Sequence, residues 1–101
     1  MLLYNVTINI EPKVEKEWVN WMKSTHIPDV MNTGRFVDFK FLKLLGEQPD
    51  ATGITYAVQY FAKSIDEVDT YLQKEGPELQ KEHMEKYKDQ FVAFRTLLEE
   101  V

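Results

Sequence analysis

The sequence contains no cysteine. That excludes a disulfide scaffold, a thiolate zinc centre and cysteine nucleophilic catalysis. Glycine and proline are scarce, four of each in 101 residues, so the chain is neither collagenous nor low-complexity. The four glycines form no phosphate-cradling loop. No local context suggests a Ser-His-Asp order. No apolar run approaches the ~18 residues of a membrane span. Residues 1–10 lack a basic start, and Asn5, Thr7 and Asn9 interrupt them at every second position. No targeting segment is therefore expected, and the expected location is the cytoplasm. Positive charge is also in deficit: 12 Lys and Arg against 17 Asp and Glu give a net charge of −5. Neither nucleic acid nor a membrane is expected as a partner.

What is present is ample material for a core, with 44% hydrophobic and 13% aromatic residues. A chain of this length reads as one domain over residues 1–101, burying about two thirds of the surface its unfolded form exposes. Leu2, Tyr4, Val6, Ile8 and Ile10 alternate with Leu3, Asn5, Thr7 and Asn9, the period of a strand. Pro12 suits the first turn of a helix, and Val14, Trp18, Trp21 and Met22 recur at helical spacing over residues 12–25. His26-Ile27-Pro28 predicts a break, because the residue before proline is pushed out of the α region. Gly34 reads as a helix stop. Residues 35–45 read as a second strand, 46–53 as a hairpin loop and 54–62 as a third strand. Ser64 and Glu67 form a capping-box pattern that opens a helix, and Gly76-Pro77 interrupts it, so residues 64–88 read as one broken helix. Residues 91–98 complete the pattern as a fourth strand.

The order β-α-β-β-α-β predicts an α+β, ferredoxin-like fold. Its four-stranded antiparallel sheet has strand order 4-1-3-2 and both helices on one face. The helix side should take Leu2, Tyr4, Val6, Ile8 and Ile10 with Ile54, Tyr56, Val58 and Tyr60. In the fourth strand Val92, Phe94, Thr96 and Leu98 are the greasier set, which places them under the helices and sends Arg95 to the free face. The free face then mixes Leu3, Phe61, Phe91 and Leu97 with Asn5, Thr7, Gln59 and Arg95. Such a face invites a cover, either a second copy of the chain or a ligand.

Several separated segments together resemble a known family. They are Tyr4-Asn5-Val6-Thr7, Trp18 with Trp21-Met22 and His26-Ile27-Pro28-Asp29-Val30, Thr33-Gly34, Tyr56 with Gln59-Tyr60, and residues 91–96. In this order, across the whole chain, they resemble the domain of unknown function family 4286. The resemblance implies a fold similar to the dimeric α/β barrel superfamily. That superfamily includes cofactor-independent monooxygenases, muconolactone-isomerase-like enzymes and haem-degrading enzymes. It supplies no catalytic residues to carry over, and fold analogy does not transfer a reaction.

The candidate site rests on the residues themselves. His26 either moves a proton or caps a helix C-terminus as a cation. Arg95 cannot be buried without a partner, so it pairs with a carboxylate across a dimer, bonds to Asn5 and carbonyls, reaches water near the sheet edge or holds an anionic ligand. Asn5 and Gln59, with Thr7, either stabilise a ligand oxygen or knit a dimer seam. Trp21 is a further ligand contact or part of the packing. His83, in line with Leu79 and Tyr87, reads as a half-buried helix residue. Two histidines 57 positions apart make a poor metal signal, and neither metal nor other cofactor is expected. The expected function is small-molecule binding or cofactor-independent catalysis on a small anionic or phenolic ligand, in a homodimer closed by the free face. The alternative is a non-catalytic association module whose free face only seals the dimer.

Overall fold

Alternating apolar positions in residues 1–10 do form strand β1 (Leu2–Ile10), at the heart of an antiparallel sheet. The computed structural model describes residues 1–46 and 52–101; most of the expected hairpin loop over 46–53 lies outside the described residues. After β1 come a single 3₁₀ turn (Pro12–Val14), helix α1 (Glu15–Trp21), a π-helical turn (Met22–His26) and α2 (Ile27–Met31). Strands β2 (Asp38–Lys43) and β3 (Ile54–Ala62) follow, then α3 (Ile65–Gln73), α4 (Gly76–Lys86) and β4 (Phe91–Glu99). The sheet order is β2-β3-β1-β4, the ferredoxin-like arrangement read from its other edge. Among the described residues, no helix is long and apolar enough to cross a membrane.

One helix signal works as expected and a second, the capping box, forms only its Ser64 half. Gly34 sits at φ +78° beyond α2, and its N–H donates to the Met31 carbonyl at 3.2 Å, a helix stop that needs left-handed backbone. Ser64 Oγ accepts the Glu67 N–H at 3.4 Å and opens α3. The Glu67 carboxylate turns away from the cap to Arg35, 3.7 Å off, and Arg35 also holds Glu75 at 3.1 Å. The loop after α2 is thereby tied to both ends of α3.

The first helix does not break at Pro28, which corrects that expectation. The helix widens instead: the Ile27 N–H bonds to the Met22 carbonyl, five residues back. In an uninterrupted α-helix the Pro28 ring would strike the carbonyl of Ser24 and leave it without a donor. The wider turn shifts the ladder before Pro28, which then occupies the first turn of α2 where no N–H is needed. His26 is therefore inside a continuing helix and caps no terminus.

The core forms between the helices and one sheet face, with Tyr4, Ile8, Ile10, Tyr56, Val58 and Tyr60 from the strands and Trp18, Met22, Val68 and Tyr71 from the helices. The faces of β1 and β3 are those expected. Those of β4 are reversed. Ile10 pairs with Phe91, Ile8 with Ala93, Val6 with Arg95 and Tyr4 with Leu97, and residues directly opposite in an antiparallel pair share a face. Phe91, Ala93, Arg95 and Leu97 thus lie on the helix side, and Val92, Phe94, Thr96 and Leu98 on the free side. The arrangement is affordable because β4 is an edge strand: Arg95 is exposed and its guanidinium keeps its hydration.

Candidate functional site

Because β4 presents Arg95 to the helix side, the expected site divides in two. Asn5, Thr7 and Gln59 lie on the free face, where Asn5 is opposite Gln59 and Thr96. There Asn5 Nδ2 donates to Thr7 Oγ1 at 3.1 Å, while Asn5 Oδ1 is buried without a partner. His26 and Arg95 lie on the other side of the sheet. Among the described residues the pocket that holds both of them does not include Asn5 or Gln59, since a strand's alternate side chains cannot reach through the sheet.

His26 and Arg95 do share a pocket. It opens between β1, β3 and β4 on one side and the helices on the other. Its lining includes Tyr4, Val6 and Ile8 of β1, Ala93 and Arg95 of β4, Met22 and His26 of the π turn, Tyr71 of α3, and Gln80 and His83 of α4. The cavity measures about 30 Å³, room for roughly two water-sized groups. His83, Gln80, Tyr4 and Tyr71 were not among the residues expected at a site. The signal for His83 was present in its alignment with Leu79 and Tyr87, but helical spacing shows which face is inward and not which distant residue it will meet.

The two imidazoles belong to an aromatic cluster. Their ring centroids are 5.4 Å apart, and Trp21 stacks on His26 at 5.1 Å with planes 29° apart. Trp21 thus supports His26 from behind and does not line the cavity. His83 is 7% exposed, more buried than expected, and packs T-shaped against Phe91 with ring centroids 4.2 Å apart. The buried Trp18 indole N–H donates to His83 Nε2 at 2.9 Å. His26 Nδ1 is buried and has no hydrogen-bond partner.

Burial sets the electrostatics. Desolvation lowers His26 to a pKa of about 4, with Asp29 opposing this and Arg95 adding to it. Desolvation lowers His83 to about 3, helped by His26 and Arg95. Both rings are neutral at pH 7. Burial raises the Tyr4 phenol, against the pull of Arg95 and Gln80. Among the described residues, Arg95 forms no ion pair. Among the described residues, the pocket therefore has one cation without an ion pair at its mouth and, in its wall, His26, whose Nδ1 is buried and unpartnered. Among the described residues, no three His, Asp or Glu side chains gather as a metal site.

A family model described as Domain of unknown function (DUF4286) matches residues 1–101. The chain belongs to this family. No curated protein matches it by sequence. Solved structures show the fold more widely. An ethyl tert-butyl ether d (ethd) family protein from Bacillus halodurans superposes with a TM-score of 0.74 at 14% identity, over all of both chains. The hydroxynitrile lyase from Passiflora edulis gives 0.65 at 14% identity, over 99% of this chain and 95% of that one. A dimeric ferredoxin-like protein from an uncultured marine organism gives 0.59 at 12% identity, over 99% and 97%. At these identities the likeness concerns architecture alone: a ferredoxin-like fold, found in a protein described as dimeric and in one that is an enzyme.

Proposed function

We propose that this DUF4286 member binds a small anionic or phenolic molecule in the helix-side pocket, performs cofactor-independent proton transfer on it, and dimerises through the opposite face of the sheet. The observation that carries this reading is that one cavity is lined by both Arg95, without an ion pair among the described residues, and His26, whose buried Nδ1 has no partner. The cavity accepts a polar head group, while the body of the ligand lies outward beside Arg95 and Gln80. An anionic oxygen on the Arg95 guanidinium offsets one of the charges that depress His26. Ligand binding therefore raises the basicity of His26 when an O–H or acidic C–H is beside it. The likeness of fold to a hydroxynitrile lyase is compatible with catalysis here and assigns no substrate.

The test is a thermal-shift screen of small carboxylates and phenols on the wild type, Arg95→Lys and Arg95→Met. A ligand present at 100 times its dissociation constant stabilises the fold by about 2.7 kcal/mol. Lysine keeps the charge and loses the planar fork, so affinity should fall about tenfold, and further in the methionine variant. Unfolding midpoints without ligand should stay near the wild type. If no carboxylate or phenol stabilises the wild type, or if Arg95→Met binds equally well, the pocket is not an anion site. The second reading, a non-catalytic association module, is favoured by the apolar free face, where Val92 and Phe94 are 70% and 63% exposed in the single chain.

A further inference from the structure

The hydrogen bond between Trp18 and His83 has a consequence for what the pocket can hold. An indole N–H can only donate, so the His83 nitrogen it meets carries no proton. In a neutral imidazole the proton then resides on the other nitrogen, Nδ1. His83 lines the cavity and Trp18 does not, so the bonded edge of the ring belongs to the core. His26 adds a second imidazole, its ring centroid 5.4 Å from that of His83, with its Nδ1 buried and unpartnered.

We propose that Trp18 is a positioning residue that locks His83 as an N–H donor and, with His26 as acceptor and Arg95 at the mouth, selects head groups bearing an anionic oxygen next to a hydrogen donor. This rests on the pocket being a small-molecule site. The chemical class is a small hydroxy acid, or a phenol with a neighbouring anionic oxygen. The anionic oxygen takes the His83 N–H and the Arg95 guanidinium. The adjacent O–H donates to His26. Methylating that O–H leaves a buried acceptor facing another acceptor, a mismatch that polar sites reject strongly. The depressed basicity of both rings supports the arrangement, since protonating His83 at Nε2 would break the Trp18 bond.

The tautomer is read first, in the unliganded protein, by nitrogen NMR of the histidine side chains. His83 should show a protonated Nδ1 and a bare Nε2, with a scalar coupling across the hydrogen bond from the Trp18 indole proton. A protonated Nε2, or no coupling, overturns the lock without any variant having to fold. Trp18→Phe should move proton population onto Nε2; an unchanged tautomer means that Trp18 does not set it. Selection is then read by titrating the wild type with glycolate, methoxyacetate and acetate, following the His26 and His83 signals. Glycolate should bind about tenfold or more tightly than methoxyacetate, and Trp18→Phe should narrow that gap. Equal binding of glycolate and methoxyacetate overturns the selection and leaves the anion pocket standing. Binding of none of the three, with the tautomer as stated, overturns the pocket's ligand role together with the selection.

Discussion

His26 and His83 are held neutral by burial, and this links folding to pH. An unfolded histidine takes up a proton below about pH 6.5. In the folded chain His26 does so only near pH 4 and His83 near pH 3. Between those values and 6.5 the unfolded state binds more protons, so stability falls as pH falls. Their contribution is complete above pH 6.5, and at pH 5 each ring has forfeited about 2 kcal/mol. Urea unfolding at pH 7 and pH 5 should show a clear drop in midpoint at the lower pH. His26→Gln and His83→Gln should each flatten the dependence, even where they lower stability at pH 7. Equal midpoints at the two pH values in the wild type would mean that the rings are more hydrated, or better paired, than the buried cluster allows.

At the scale of elements, the junction between α3 and α4 shows how local backbone supports the pocket. A Cβ on Gly76 would lie 2.9 Å from the Tyr71 carbonyl oxygen and 3.1 Å from its ring. Tyr71 is a pocket wall, so α4 can start this close to it only with glycine there. In an open helical position Gly→Ala stabilises by up to about 1 kcal/mol. Here overpacking should reverse the sign, and Gly76→Ala should destabilise by about 1–3 kcal/mol in chemical denaturation. A more stable variant would show that the junction can yield. The same scale explains what was legible in the sequence. Strands β1 and β3 are central, each apolar on the helix side, so period-two alternation fixed their faces and the topology followed. Edge strand β4 has apolar residues on both sides, and choosing the greasier set for the core turned Arg95 the wrong way. The core takes Phe91 and Ala93, while the free face carries Val92 and Phe94. The continuation past Pro28 was also hidden, because the wide turn that admits proline is a matter of backbone ladder and not of residue type. His26 and Arg95 were legible as chemical groups; His83 joined them only once the fold had brought α4 against the π turn.

For the whole molecule, the reversal of β4 separates two surfaces that the sequence had merged. Residues 94 and 95 are neighbours in the chain and point to opposite sides of the sheet. Arg95 lines the pocket. Phe94 shares the free face with Val92 and Leu98 of its own strand, 70% and 45% exposed, with the inner Leu3 and Phe61, and with Leu42 on the opposite edge, 45% exposed. If this face is the dimer seam, the wild type should sediment at twice the chain mass at micromolar concentration. Phe94→Asp would then place a carboxylate in the apolar seam at a cost of several kcal/mol to association. In the single chain the same position is 63% exposed, so the folding of the monomer should change by no more than about 0.5 kcal/mol. The variant should therefore sediment at the chain mass while keeping its circular dichroism and its helix-side pocket. A wild type that is monomeric at that concentration, or a Phe94→Asp variant that still dimerises, would move the interface away from this face. Loss of the fold in Phe94→Asp, with no monomer recovered, would instead mean that the sheet depends on its second copy for stability as well as for cover.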